Sequence, residues 1–218
     1  MGSLIDDSFR ILLVMSRFRI GLGFGDKTVD GVCRENGVDT ATFLAVANML
    51  MHEEVEPDIA GLSVDSLLGY LHTSHEYFLD FRLPGIRTKL AEVLGAPETE
   101  LIKAILRYFD EYVAEVRKHM MYEENTVFPY VRSLLAGGKP KDYRIDVFGS
   151  HHDQVEARLN EFKNILIKYF PAKSTNEINS VLFDIFSCEH DLAAHNAIED
   201  RLFIPAVRLL EPVKRQKR

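Results

Sequence analysis

The stretch His119-Met120-Met121-Tyr122-Glu123-Glu124-Asn125-Thr126-Val127-Phe128-Pro129 decides the fold. It has a counterpart downstream in His195-Asn196-Ala197-Ile198-Glu199-Asp200-Arg201-Leu202-Phe203-Ile204-Pro205. In each, a His is followed four residues later by Glu, then by a second acid, and ten residues after the His by Pro. Positions i and i+4 share one face of a helix, so each stretch can aim an imidazole and a carboxylate at one point. His72/Glu76, His152/Glu156 and His52/Glu56 have the same spacing. Random placement of these residue types would give about 0.7 such pairs. His52/Glu56 lies in an acidic run directly before Pro57 and is set aside as coincidence. The other four fall one to each of four long helices.

Those helices follow from apolar spacing. Helix A is expected from about Val64 to Arg82, with Leu67, Leu68, Leu71, His75 and Phe78 on one stripe, and with Pro84 and Gly85 interrupting it before a further piece to Leu94. Pro97 suits the first turn of helix B, which carries Leu101, Ala104, Ile105, Tyr108, Tyr112, Val116, His119 and Glu123 and continues to about Leu135. Helix C is expected over about 146–169. Helix D begins at the capping box Ser174-Thr175-Asn176-Glu177 and runs to about Leu210. Ahead of them, residues 4–56 read as a small helical unit. Asp6 or Asp7 caps its first helix, a glycine loop spans 21–25, a short helix is stopped by Gly37, and Asp39 caps a third helix. No stretch alternates with the period of a strand. The expectation is an all-α chain: a small N-terminal domain over 1–58 and an up-down four-helix bundle over 59–218.

The bulk numbers narrow the function. A formal net charge of −7 speaks against a nucleic-acid binder. No apolar run approaches the length of a membrane span, which is about 20 residues. Met1-Gly2-Ser3-Leu4 runs into Asp6 and Asp7 rather than a secretory leader, so a cytoplasmic location is expected. Cys33 and Cys188 are too few for a disulfide framework.

Inward positions of a bundle should be apolar, yet His119, Glu123, His152, His195 and Glu199 are in phase with the apolar stripes. Burying such groups without partners costs several kcal/mol. Either the imidazoles and carboxylates bond one another, or they hold a metal. A mixed nitrogen and oxygen set without thiolate suits iron, manganese or zinc, and an octahedral set with open positions favours iron. Six or seven candidates are too many for one ion and suit two, bridged by Glu carboxylates. Glu-x-x-His, the motif of ferritin-like di-iron bundles, does not occur.

His-x-x-x-Glu followed by an acid and Phe-Pro, the Ser150-His151-His152-Asp153 start of helix C and the His-x-x-x-Glu with Pro on helix D resemble the hemerythrin-like proteins with HHE cation-binding domains, over about residues 63–210. Within that group the chain looks most like the di-iron proteins that repair iron–sulfur centres under nitrosative and oxidative stress, which also carry a short helical domain ahead of the bundle. The resemblance implies two non-heme iron ions. Their ligands would be His72 from helix A, His119 and bridging Glu123 from helix B, His152 from helix C, and His195 with bridging Glu199 from helix D. The repair proteins have a further His after helix A. Residues 84–118 contain none here, and Glu156 is the candidate replacement, with His75 or Glu76 behind it. The repair proteins also carry a Cys-Cys pair in the N-terminal domain. The matching loop Ile20-Gly21-Leu22-Gly23-Phe24-Gly25-Asp26-Lys27 has no Cys.

His151 and His190 are expected at the surface, and Phe128 and Phe203 in the pocket wall. Two functions are carried forward. One is a di-iron protein that binds or reduces oxygen or nitric oxide, or serves iron–sulfur repair. The other is a metal- or oxygen-dependent sensor without turnover. The partners are the diatomic ligand and a second copy of the chain in a homodimer, with neither nucleic acid nor membrane.

Overall fold

Side chains that accept from backbone N–H groups set where the helices begin. Thr28 Oγ1 accepts from Gly31 N at 3.1 Å and opens α3, Val29–Glu35. Asp39 Oδ1 accepts from Thr42 N at 2.8 Å and opens α4, Thr40–Met51. Ser63 does the same for α5, Val64–Glu76, and Thr99 for α7, Glu100–Tyr122. Gly37, at φ 67°, follows the end of α3, where a residue with a side chain would be strained.

A computed structural model describes residues 1–51, 58–95, 99–138, 144–147, 153–170 and 175–211, with backbone only for 153–157. The remaining helices are α1 Gly2–Asp7, α2 Ile11–Arg17, α6 Leu83–Leu94, α8 Phe128–Leu135, α9 Asp153–Tyr169, α10 Thr175–Ile198 and α11 Ile204–Leu210. Short 3-10 turns lie at Ile59–Gly61 and Ile145–Val147. Among the described residues there is no strand, so the chain is all-α: a helical bundle with an N-terminal helical part.

Three details differ from the expectation. Asp6 and Asp7 close α1 instead of capping a single first helix. Ser8 is extended (φ −154°), and the chain restarts at Ile11, which puts Ile11, Val14, Met15 and Phe18 on one buried stripe. Phe9 lies off that stripe and is exposed. Second, Pro84 does not interrupt helix A. The π-helical segment Tyr77–Arg82 joins α5 to α6 without a break, and Glu123–Val127 and Glu199–Phe203 join α7 to α8 and α10 to α11 in the same way. Third, helix C does not begin at residue 146: Ile145–Val147 is a 3-10 turn and α9 starts at Asp153. Pro97 and Ser174 lie outside the described residues.

The contacts divide the chain into two compact units. The first takes Met1–Ser74, Glu124–Gly149 and Ala197–Arg218. Its core includes Phe18, Phe43, Leu67, Tyr70, Val127, Phe128, Leu202 and Phe203, so the N-terminal helices share one interior with the segments that follow Glu123 and Glu199. Glu211 closes this unit: Oε1 accepts from Tyr130 OH at 2.6 Å and from Ile145 N at 2.8 Å, while Oε2 pairs with Arg144 at 2.7 Å. Burial, then the carboxylate beside it, pushes the Tyr130 hydroxyl above the usual phenol range, so it stays a donor.

The second unit takes His75–Glu123 and Ser150–Asn196. Its core runs through Phe78, Leu83, Ile86, Ile105, Phe109, Tyr112, Phe162, Val181 and Ile185. Asp184 ties α10 to α6 and the segment before it: Arg82 donates to its side chain at 3.0 Å and to its carbonyl at 2.9 Å, and Lys89 pairs with it at 2.5 Å.

Candidate metal centre

The buried stripe of α7 is Ile105, Phe109, Tyr112, Val116 and Met120, a helical spacing that brings the next turn inward at Glu123. The Glu123 side chain is completely buried and that of His119 is 14% exposed. Glu123 N donates to His119 O, so the pair stands on the last α turn before the π segment. His119 Nε2 lies 2.8 Å from Glu123 Oε1. The other oxygen, Oε2, lies 2.9 Å from Nε2 of His75, which is also buried. One carboxylate therefore serves two imidazoles, one through each oxygen.

His195, wholly buried, meets His75 edge-on with ring centroids 5.2 Å apart and Phe78 with centroids 5.8 Å apart. Glu199, also wholly buried, follows one turn later on the same helical run. His75, Glu123, His195 and Glu199 each offer a ligand atom, and these atoms all lie within 4.8 Å of one another. Donors on opposite sides of an ion bound at about 2.0–2.2 Å are about 4.0–4.4 Å apart. A small contraction would thus close the group on one ion, and two carboxylates with two imidazoles are a donor set for a divalent transition metal.

The family model of the hemerythrin HHE cation-binding domain matches residues 66–207. The chain belongs to the hemerythrin HHE cation-binding domain family. No curated protein matches the chain. The HHE domain binds metal cations, typically iron, and the buried His/Glu group is a place where this one can hold an ion. Among the described residues no helix is long and apolar enough to cross a membrane.

Of the residues singled out from the sequence, the HHE domain brings together Glu123, His195 and Glu199, with His119 on the free side of Glu123. His75 joins them, although it ranked behind His72. The apolar stripe Leu67, Leu68, Leu71, His75, Phe78 already placed it inward. His72 is not in the group: its side chain is 38% exposed and Nδ1 lies 2.9 Å from Glu124 Oε1. Glu76 is exposed. His152 lies outside the described residues, as does His151, and Glu156 is described only as backbone in α9. His190 is exposed, as expected. Phe128 and Phe203 are completely buried, with ring centroids 6.1 Å apart.

Neither cysteine is in a disulfide and both are buried, and burial pushes the Cys33 thiol above its usual range. Neither is in the metal group. Cys33→Ser and Cys188→Ser should leave iron content and visible spectrum unaltered, at a stability cost of about 1–3 kcal/mol for burying a hydroxyl. Loss of iron in either variant would reveal a thiolate ligand.

Proposed function

We propose that the chain is a non-heme di-iron protein that binds or reduces a small diatomic ligand, oxygen or nitric oxide. The observation that carries this reading is the two-sided pose of Glu123, whose oxygens face His75 and His119 separately. A carboxylate serving one ion would need only one of those partners. In this reading His75, Glu123, His195 and Glu199 hold one ion, while His119 and the other oxygen of Glu123 begin the second position. His152 and Glu156 are assigned to that second position from the sequence pattern. His75 replaces His72 as the ligand from α5, and His72 is engaged by Glu124.

Bound as a pair, iron supplies two redox-active ions and an open coordination position for the diatomic ligand. The chain's own contributions are three. Glu123 and Glu199 offset the positive charge, and Glu123, with one oxygen at each position, fixes the spacing. Phe78 sets the rotation of the His195 ring from its edge. The buried Val116 and Met120 of α7, two turns and one turn before Glu123, keep water from its carboxylate.

We extend the reading to nitrosative or oxidative stress and iron–sulfur repair, in a reducing cytoplasmic setting that suits two cysteines outside any disulfide. Residues 1–58 would be an N-terminal domain and a second copy of the chain a partner. A thiol-dependent repair step forms no part of it, since Cys33 is buried and the loop 20–27 has no Cys. The alternative, a sensor without turnover, draws support from the first unit's core. There the N-terminal helices pack with Val127, Phe128, Leu202 and Phe203, which follow directly on the two carboxylates.

The test is iron content with a visible spectrum before and after nitric oxide. About two irons per chain and a nitric oxide-dependent spectrum are expected. His75→Ala should lose about one iron and His72→Ala should keep both. A single tightly held zinc, or equal losses in the two His variants, overturns the assignment.

A further inference from the structure

The prolines among the described residues are Pro84, Pro129 and Pro205. Each is the second residue of a helix that directly follows a π segment: Leu83–Leu94 after Tyr77–Arg82, Phe128–Leu135 after Glu123–Val127, and Ile204–Leu210 after Glu199–Phe203. Proline lacks an N–H, and in an α register its ring strikes the carbonyl four residues back. Those carbonyls belong to Asp80, Asn125 and Arg201, and all three residues lie inside π segments. A turn that closes from i to i+5 moves the carbonyl off the ring, so the helix passes through the proline without breaking.

Two of these segments share a further registration. Glu123 and Glu199 are each the first π residue, each follows its His by four positions, and each precedes its proline by six. We propose that Pro129 and Pro205 are positioning residues: by holding the π register they set where the Glu123 and Glu199 carboxylates point. Returning the segment to an α register removes one residue from the turn and rotates what lies on either side by about 100° relative to each other. The His stands before the π segment and the apolar anchors Phe128 and Phe203 stand at or just past its end. The carboxylate, on the junction, takes up that rotation. This rests on the reading of Glu123 and Glu199 as metal ligands.

The test uses the full chain and cobalt(II) alone as a probe, whose visible d–d bands report coordination geometry. Pro129→Ala and Pro205→Ala should keep their helicity without metal, bind cobalt(II) at least about tenfold more weakly, and show shifted bands. Pro84→Ala is the control: Tyr77–Arg82 carries no candidate ligand and meets the site through Phe78 beside His195, so this variant should weaken binding by less than about threefold. If the parent binds no cobalt(II), the metal-site reading fails. If the parent binds and Pro129→Ala and Pro205→Ala match it in affinity and bands, only the positioning role fails. Equal weakening in Pro84→Ala, or loss of helicity in the metal-free variants, also overturns it, since the prolines would then serve folding at large.

Discussion

Replacing Glu123 by alanine is expected to take the iron content from about two ions per chain to near none. Its two oxygens face two imidazoles, at 2.8 Å and 2.9 Å. Its removal withdraws a donor from each position at once and leaves the charge of two ions with one carboxylate fewer. Loss of an ordinary terminal ligand should empty one position and leave the other. Outer-sphere changes alone typically cost about 10–100-fold in metal affinity, and loss of a shared donor should exceed that at both positions. Glu123→Gln separates charge from shape, because it keeps one oxygen acceptor but no negative charge, and it should hold an intermediate amount. Elemental analysis of the three proteins, grown side by side with added iron, decides the matter. Parent-like iron in Glu123→Ala would mean that the contact with His119 is only a buried ion pair and that the two-ion reading is wrong.

Metal removal is the second large effect. A ligand that binds only the folded chain stabilises it by about 4 kcal/mol when present at a thousand times its dissociation constant. For a chain of this size each kcal/mol moves the melting temperature by about 2–4 °C, so stripping the ion with a chelator should lower it by about 10 °C. Scanning calorimetry before and after chelation, and again after iron is restored, measures this. An unchanged melting temperature would favour the other reading of the cluster, in which the imidazoles and carboxylates satisfy one another without an ion.

The spacing His-x-x-x-Glu singled out Glu123, His195 and Glu199 of the buried group, and His119 beside Glu123. His119 and His195 sit on α turns, and Glu123 and Glu199 open the π segments that follow, so the i to i+4 rule still holds up to each carboxylate. His75 was harder to rank because two signals competed on α5. The spacing pointed to His72 with Glu76, but Glu76 is exposed and His72 turns to Glu124. The apolar stripe pointed to His75, and burial followed the stripe. Where a motif and a hydrophobic period disagree on one helix, desolvation decides which side chain faces inward.

Helix ends shaped by N-caps and glycines were legible because the signals are local. The passage through Pro84 was not. Proline reads as a breaker in an α register, and the wider turn that tolerates it leaves no mark of its own in residue type. The same widening shifts the phase of the inward face, so one 3.6-residue template cannot follow α7 into α8. The split of α1 from α2 was hidden for another reason: Phe9 is as apolar as Ile11, yet it is exposed while Ile11 is buried.

The Glu211 carboxylate has a consequence for synthesis on the ribosome. Its partners Ile145 and Tyr130 precede it by 66 and 81 residues. At a translation rate of about 5–20 residues per second, the Ile145 amide and the Tyr130 hydroxyl wait roughly 3–16 s before their acceptor is made. Until then those donors must stay with water, so α8 and the turn at Ile145–Val147 cannot dock in their final buried form. The first unit is therefore completed late by its C-terminal part, although its N-terminal helices leave the ribosome first.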